Sequence, residues 1–366
     1  MNFYVNKQSF LKALNIANKA TASKLNRSIL ECILIQTQQD KIILKATDMT
    51  LSIKTSVEAT VEKEGTTALP ARLLTEIMSK FPEGEIHFVK GEEGSVQIIN
   101  QNAKAVLQEM DGDEFPDFPI VDGQNSVSLE GGELKQMINQ TVFSTAVSED
   151  KPILTGVLLE TEEDHMNLVA LDGYRLAFRT TKCSPSGNMS VVIPAKSIKE
   201  VAKIIEDDED QVCISVSGNT AHIEMSSASL FTRLLEGDYV KYKNILPSEY
   251  KTRVKVETKL LEESIERASI LARDTSNNLI KMSMAEDVMT ITSNSEYGSS
   301  NEQLPIYLEG KDLTIAFNSK FILDILKNVE DGEVIMDFDT NLKPCVIKDR
   351  DLSKYIYLIL PVKVRD

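Results

Sequence analysis

The chain repeats one order of predicted elements, in which an amphipathic helix is followed by several short strands. Near the start, Phe10, Leu11, Leu14 and Ala17 lie on one face of a helix with a period of 3.6 residues. Segments beginning at residues 134 and 260 have similar spacing. Short apolar runs follow, the first at residues 32–35, and these are typical of strands. Each copy is therefore predicted to open with a helix and to continue with strands, a second helix and further strands.

The copies follow one another at an interval of 124 residues. The second helix of each copy begins at one of three related triplets, Pro-Ala-Arg at 70–72, Pro-Ala-Lys at 194–196 and Asn-Ser-Lys at 318–320. Solenoid repeats run about 20–50 residues, so this longer period indicates three copies of a whole domain. We expect domains at residues 1–124, 125–247 and 248–366. Each is predicted to be an α+β domain with two helices packed on a mostly antiparallel sheet.

Composition narrows the class of protein. The 366 residues include 40 Lys and Arg against 56 Asp and Glu, and the net charge of −16 disfavours nonspecific binding to polyanions. No secretion signal is visible at the start of the sequence, and no apolar run approaches the roughly 18 residues of a membrane span. The four cysteines are scattered along the chain. These features predict a cytoplasmic protein without a membrane segment.

Basic residues recur at one position of the second helix, namely Arg72, Lys196 and Lys320. Lys203 and Lys327 also coincide under the repeat. Because these residues alternate with apolar positions, they are expected to face away from the sheet. Two interpretations remain open: an ordinary solvated helix surface, or the lining of a basic channel inside an otherwise acidic protein.

The sequence contains no recognisable catalytic or metal-binding pattern. His87, His165 and His222 are isolated from other residues at metal-ligand spacing. No nucleophile elbow, phosphate-binding loop or dinucleotide fingerprint occurs. The acidic run at residues 206–210 joins a predicted helix to a predicted strand, which is typical of a solvated turn. We expect no enzymatic activity, no cofactor and no metal.

Five longer motifs occur in a fixed order along the chain. They are LDGYRLA at 171–177, RLLEG at 233–237, RASILAR at 267–273, FNSK at 317–320 and LILP at 358–361. With this order and total length, the chain resembles the bacterial sliding clamps, the beta subunits of DNA polymerase III, along essentially its whole length. The resemblance implies three similar domains of the DNA-clamp fold. It also implies a homodimer, paired head to tail into a six-domain ring around duplex DNA.

The resemblance implies a processivity factor for DNA replication, an accessory subunit without catalysis of its own. Such a ring binds double-stranded DNA without reading its sequence. It tethers the replicative DNA polymerase, the clamp loader and repair proteins through short linear motifs. The residues implied nearest to DNA are Lys24, Arg72, Lys196 and Lys199.

A hydrophobic pocket for partner peptides is implied between the second and third domains and on the C-terminal strand. Its residues would be Leu154, Leu171, Gly173, Tyr174, Arg175, Leu176, Ile245, Phe321, Leu358, Leu360 and Pro361, with Val362 at the rim. The sequence departs from the family at Val240, where proline is common, and in a tail that continues through residues 363–366. Both departures concern the rim of the pocket.

The implied dimer contact joins the last strand of the first domain to the first helix of the third. It places Leu107 of one copy against Ile270 and Leu271 of the other. Two other hypotheses compete with a clamp: an acidic three-domain hydrolase and a scaffold that does not bind DNA. The missing acid–base and metal patterns weigh against the hydrolase, and a scaffold would not require the repeated basic positions.

Overall fold

The computed structural model describes most of the chain, namely residues 1–22, 28–91, 94–121, 123, 125–148, 150–247, 249–273, 278–349 and 354–363. Its described elements form three copies of one pattern. The first copy comprises β1 (Asn2–Asn6), α1 (Lys7–Ala17), β2 (Cys32–Gln38), β3 (Lys41–Thr47), β4 (Leu51–Glu58), β5 (Thr60–Lys63), β6 (Thr66–Pro70), α2 (Ala71–Lys80), β7 (Glu85–Lys90), β8 (Ser95–Asn100) and β9 (Ala103–Gln108).

The second and third copies repeat this order with small variations. The second comprises β10 (Asn125–Glu130), α3 (Gly131–Val142), β11 (Gly156–Glu162), β12 (His165–Leu171), β13 (Arg175–Lys182), β14 (Ser190–Pro194), α4 (Ala195–Ile204), β15 (Gln211–Ser217), β16 (Thr220–Glu224) and β17 (Ser229–Arg233). The third comprises β18 (Thr252–Glu257), α5 (Thr258–Ala272), β19 (Leu279–Ala285), β20 (Val288–Ser295), β21 (Gly298–Pro305), β22 (Tyr307–Gly310), β23 (Leu313–Asn318), α6 (Ser319–Leu326), β24 (Glu333–Phe338), β25 (Cys345–Lys348) and β26 (Tyr355–Ile359).

The predicted α+β architecture is confirmed, but each copy opens with a strand, not with a helix. β1, β10 and β18 come before the first helices, and β1 pairs with β5 and β7. The chain turns from β1 into α1 at Asn6, whose side-chain Oδ1 accepts hydrogen bonds from the backbone N–H groups of Gln8 and Ser9. This cap satisfies donors that have no partner within the first helical turn. The Asn6 cap therefore fixes where the strand ends and the helix begins.

The second helices start where the repeated triplets predict. α2, α4 and α6 begin at Ala71, Ala195 and Ser319, the middle residues of the triplets. In the third copy Asn318 replaces proline, and its side chain accepts a hydrogen bond from the backbone N–H of Lys320. Proline and asparagine can thus both start the second helix at the same position of the repeat. Proline fixes the backbone angle at a helix start, and asparagine accepts a hydrogen bond from a backbone N–H of the first turn.

The chain forms two compact units. The first contains residues 1–135 and 200–234, and the second contains residues 136–199 and 235–366. The sheets of the first unit have the strand orders β5-β1-β7-β8-β9 and β10-β15-β16-β17-β4-β3-β2-β6. Those of the second have the orders β14-β11-β12-β13-β26-β25-β24-β18-β22 and β21-β20-β19-β23. The strand pairs described in these sheets are antiparallel.

Two of these sheets combine strands from neighbouring copies in the same way. In the first unit, β4 of the first copy pairs with β17 of the second. In the second unit, β13 of the second copy pairs with β26 of the third. The domain limits at 1–124, 125–247 and 248–366 remain a prediction, and these continuous sheets cross them.

The helices cover the sheets with apolar faces. α1 packs on β4 and on α2, while α5 packs on β20, β21 and α6. The core of the second unit includes the fully buried Leu261, Phe317 and Tyr357. Within the described parts of the chain, no helix is long and apolar enough to cross a membrane. The same residues contain no group of three or more His, Cys, Asp or Glu that could hold a metal ion.

Candidate partner-binding cleft

The twelve residues predicted to form the peptide pocket all lie in the second unit. They come from a short 3-10 turn (Pro152–Thr155), the end of β12, the start of β13, the segment after a second 3-10 turn (Tyr242–Asn244), α6, and the chain from β26 onward. The structure therefore draws together segments that are distant in sequence. Their convergence depends on the pairing of β13 with β26.

Three leucines on adjacent strands would form the floor of the candidate cleft. Leu171 on β12 is opposite Leu176 on β13, which in turn is opposite Leu358 on β26. Because paired residues in a sheet have side chains on the same face, the three make one apolar row. Leu154 packs into the same buried cluster. Burying such side chains stabilises the unit, and the cluster would give the candidate cleft an apolar base.

A tight turn connects β12 to β13 and exposes an aromatic side chain. Asp172 Oδ1 accepts hydrogen bonds from the backbone N–H groups of Tyr174 at 2.9 Å and Arg175 at 3.0 Å. Between them, Gly173 has φ of +93°, a left-handed conformation that favours glycine. The turn leaves Tyr174 64% exposed, beside the ring of Phe321 at a centroid distance of 6.3 Å. Tyr174 can therefore contact a partner directly.

Arg175 connects the β12–β13 turn to α6 and to the chain that follows α3. Its side chain is only 9% exposed. Nε donates to Asp172 Oδ2 at 3.0 Å, Nη1 to Asp324 Oδ2 at 2.6 Å, and Nη2 to the carbonyl oxygen of Phe143 at 2.7 Å. The guanidinium carbon also lies 4.6 Å from the ring centroid of Phe321. Arg175 was predicted as a wall residue, and its contacts make it a positioning residue for Tyr174 and Phe321.

The chain beyond β26 is hydrogen-bonded to the β12–β13 turn and to β23. The backbone N–H of Leu360 donates to the carbonyl oxygen of Tyr174 at 2.9 Å, and that of Val362 donates to Ala316 at 2.8 Å. These two bonds hold the residues on either side of Pro361, which has no N–H to donate. Leu360 and Ile245 are about two-fifths exposed, so apolar surface remains open to solvent. Val240, the departure from the family noted above, is also partly exposed.

Tyr242 packs beside the predicted pocket residues, although the sequence did not single it out. It packs in the same cluster as Leu154 and Leu358, and its hydroxyl donates to Glu160 Oε2 at 2.7 Å. Burial, reinforced by this hydrogen bond, raises the pKa of Tyr242 well above its usual value. Tyr239 lies in the same segment and donates to the carbonyl oxygen of Val169 at 3.2 Å. The only sequence signal was the pair of tyrosines in a turn-rich segment, which is weak by itself.

Three of the four residues predicted to approach DNA lie on the second helices. Arg72 is near the start of α2, with an exposed side chain that pairs with Glu76 at 2.9 Å. Lys196 and Lys199 are exposed on α4. Lys24 lies outside the described residues. The structure thus places Arg72 and Lys196 at the same helical position of two copies, as the repeat requires.

The residues predicted to form the dimer contact lie at exposed or partly exposed positions. Leu107 is partly buried on β9, the last strand of its sheet, and its neighbour Val106 is half exposed. On α5, Ile270 is 62% exposed and Leu271 is partly buried. These side chains are therefore not fully buried in the cores of their own units.

Comparisons with known proteins agree along the whole chain. Models of the N-terminal, central and C-terminal domains of the DNA polymerase III beta subunit match residues 1–119, 128–241 and 243–363. A beta sliding clamp of Staphylococcus aureus is 31% identical over 374 aligned positions, with 99% of each chain covered. Two solved structures match over the full length of both chains. They are a putative DNA polymerase III beta subunit from Eubacterium rectale, with 34% identity and a TM-score of 0.95, and a DNA polymerase sliding clamp from Bacillus subtilis, with 31% identity and a TM-score of 0.96.

Full-length agreement in sequence and in fold accounts for the triplicated pattern, for the repeated second helices and for the order of the five motifs. The chain belongs to the DNA polymerase III beta subunit family, the bacterial sliding clamps.

Proposed function

We propose that two copies of this chain close into a six-domain ring that encircles duplex DNA and tethers the replicative DNA polymerase. The observation that carries this proposal is the full-length match to sliding clamps in all three domains. In this role the protein is an accessory subunit that acts in the cytoplasm without a cofactor. Its three domains would span residues 1–124, 125–247 and 248–366.

The exposed edges of the sheets support a head-to-tail dimer. β9 is the last strand of a sheet in the first unit, and β21 is the last strand of a sheet in the second. An edge strand presents unpaired backbone groups that natural proteins usually cover. In the proposed dimer, Leu107 of one copy packs on Ile270 and Leu271 of the other. This contact would bury the exposed side chain of Ile270 and cover both edges.

A closed ring explains how a protein of net charge −16 can work on DNA. A ring holds DNA by enclosing it, so it needs only weak contacts with phosphates and can slide. Such contacts are independent of sequence and weaken as salt increases. We assign them to Lys24, Arg72, Lys196 and Lys199.

The cleft of the second unit is the proposed site for partner proteins. Its leucine floor and the exposed Tyr174, Ile245 and Leu360 suit a short peptide that carries leucine and phenylalanine. A few apolar anchors usually dominate binding of this kind. We expect the polymerase, the clamp loader and repair proteins to use such peptides, with affinities of roughly micromolar because the free peptide must become ordered.

The mass of the particle in solution tests the ring. Light scattering should give a mass twice that of the 40.8 kDa chain, and small-angle scattering should show a central hole. A monomer at micromolar concentration would contradict the proposal, as would a compact dimer without a hole.

A further inference from the structure

The first unit contains a turn equivalent to the one that shapes the partner cleft. Asp48 Oδ1 accepts hydrogen bonds from the backbone N–H groups of Thr50 at 3.0 Å and Leu51 at 2.8 Å. The backbone N–H of Asp48 donates to the carbonyl oxygen of Leu51 at 3.1 Å, as Asp172 donates to Arg175 at 3.2 Å. Met49, with φ of +72°, takes the place of Gly173. The two turns share one hydrogen-bond pattern.

The strand beside this turn is also repeated. The backbone N–H of Arg233 donates to the carbonyl oxygen of Thr50 at 3.0 Å, as Leu360 donates to Tyr174 at 2.9 Å. Arg233 is therefore the counterpart of Leu360, and β17 is the counterpart of β26. We call these equivalent arrangements of turn and strand the first frame (around Asp48) and the second frame (around Asp172).

The buried apolar residues next to the two frames also occupy equivalent positions of the repeat. A buried cluster in the first unit contains Ile29, Leu30, Leu34 and Phe115. At an interval of 124 residues, the cluster of the second unit contains Ile153, Leu154, Leu158 and Tyr239. A cavity of about 290 Å³ lies beside the first frame, and its lining includes Met49, Pro116, Phe231 and Arg233. The first frame thus has both the buried apolar cluster and the open cavity that a binding cleft requires.

The frames differ in the chemistry of the row that forms the floor. In the second frame, the row is Leu171, Leu176 and Leu358. In the first frame, the row in the same register is Thr47, Ser52 and Phe231. The Oγ1 of Thr47 lies 2.8 Å from the Oγ of Ser52, so the two hydroxyls are hydrogen-bonded to each other. Two of three leucines are therefore replaced by polar side chains.

These replacements oppose binding of an apolar peptide. A leucine placed on this row would cover the partly exposed hydroxyl of Ser52, and it would gain little apolar contact because the buried Thr47 offers a hydroxyl in place of a leucine side chain. Arg233 is exposed where the second frame presents Leu360. A guanidinium covered by apolar groups loses hydration that those groups cannot replace.

We infer that Thr47, Ser52 and Arg233 are specificity-determining residues: they prevent the first frame from taking the leucine- and phenylalanine-bearing peptide that the second frame accepts. The inference rests on the proposed function of the second frame as a peptide cleft. It means that the chain contains two frames of one design and binds one such peptide.

Exchange of the three residues tests the inference. The probe is a fluorescein-labelled hexapeptide with two leucines and one phenylalanine, titrated calorimetrically into the full-length protein. The unmodified chain should bind one peptide, and the triple variant Thr47→Leu, Ser52→Leu, Arg233→Leu should bind two. The control Asn219→Leu changes an exposed residue of the same cavity outside the floor row and should still bind one.

The outcomes separate this inference from the proposed function. A triple variant that keeps its circular dichroism spectrum but still binds one peptide would overturn the inference. If the unmodified chain binds none and the triple variant binds one, the proposed peptide cleft of the second frame fails, while the role of Thr47, Ser52 and Arg233 in blocking the first frame stands. Should the triple variant not fold, the double variant Ser52→Leu, Arg233→Leu retains the buried Thr47. It should still show a second, weaker site, and its absence would overturn the inference.

Discussion

Arg175 holds together three segments of the second unit that lie far apart in sequence. Its ion pairs and hydrogen bond join the turn at Asp172, Asp324 on α6, and the backbone of Phe143. The family motif identified Arg175 as part of the cleft, but the sequence could not reveal these partners, because pairing depends on how the strands and helices pack. The same limit explains why Tyr242 was missed. By contrast, the floor leucines lie in motifs that the sequence displays directly.

Replacement of Arg175 by methionine should destabilise the second unit. The change leaves Asp172 and Asp324 without their guanidinium partner in a mostly buried site, which typically costs about 3 kcal/mol. Urea denaturation should show this decrease in the free energy of unfolding. The control Arg72→Met removes an exposed pair with Glu76 and should cost less than about 1 kcal/mol. Equal effects of the two changes would contradict the supporting role of Arg175.

At the scale of elements, neighbouring strands of the second unit are joined by charge as well as by backbone pairing. Asp337 on β24 is buried and accepts hydrogen bonds from Arg253 on β18, at 2.7 and 2.9 Å. Lys348 on β25 pairs with the same carboxylate at 2.9 Å. The sequence predicted antiparallel strands here but not this pairing. It also missed the opening strands, since a five-residue run such as Asn2–Asn6 is too short to show a clear period.

The contribution of Asp337 should depend on pH. Burial alone would raise the pKa of this carboxyl, but hydrogen bonds from Arg253 and Lys348 lower it below the ordinary value of 3.8. A group with a lowered folded pKa stabilises the fold above its unfolded pKa and loses that contribution as pH falls through the folded value. Asp337→Asn should therefore cost about 3 kcal/mol near neutral pH, and the difference from the unmodified protein should shrink below about pH 4.

Urea unfolding at a series of pH values measures this difference. The control Glu76→Gln, at the exposed pair with Arg72, should change stability by less than about 1 kcal/mol at each pH. A penalty for Asp337→Asn that stays constant down to about pH 3 would show that the carboxylate charge is not what stabilises these strands.

The segment beyond β26 is expected to be required for partner binding but not for dimerisation. Truncation after Ile359 removes Leu360 and the hydrogen bonds that close the cleft. Calorimetry should then detect no binding of a leucine- and phenylalanine-bearing peptide, because one apolar wall is lost. The mass of the dimer should not change, since the proposed contact involves other elements. Unchanged peptide affinity would place the partner site elsewhere.

At the scale of the whole molecule, the triplication was visible in the sequence because its interval of 124 residues is nearly constant. The structure adds that neighbouring copies share sheets, through the pairs β4–β17 and β13–β26. Such pairing between copies cannot be deduced from the period alone. It also creates equivalent frames with different floor residues, so a repeated architecture can carry sites of different chemistry.

Dimerisation should depend on Ile270. This side chain is exposed in the single chain, so Ile270→Glu should leave the fold intact. In the proposed dimer the new carboxylate would be buried without a partner, which costs several kcal/mol. Light scattering should therefore find monomers at micromolar concentration. The control Leu342→Glu changes an equally exposed leucine away from the proposed contact and should remain dimeric. A dimeric Ile270→Glu variant would exclude the proposed interface.

Retention on DNA tests most directly whether the protein is a ring that encloses the duplex. The protein is loaded onto a nicked circular duplex, and the circle is then cut once with a restriction enzyme. Enclosure predicts that the protein stays on the circle and is released when the duplex becomes linear, because it slides off the ends. Equal retention on circular and linear DNA of the same sequence would mean ordinary binding by affinity and would contradict the account.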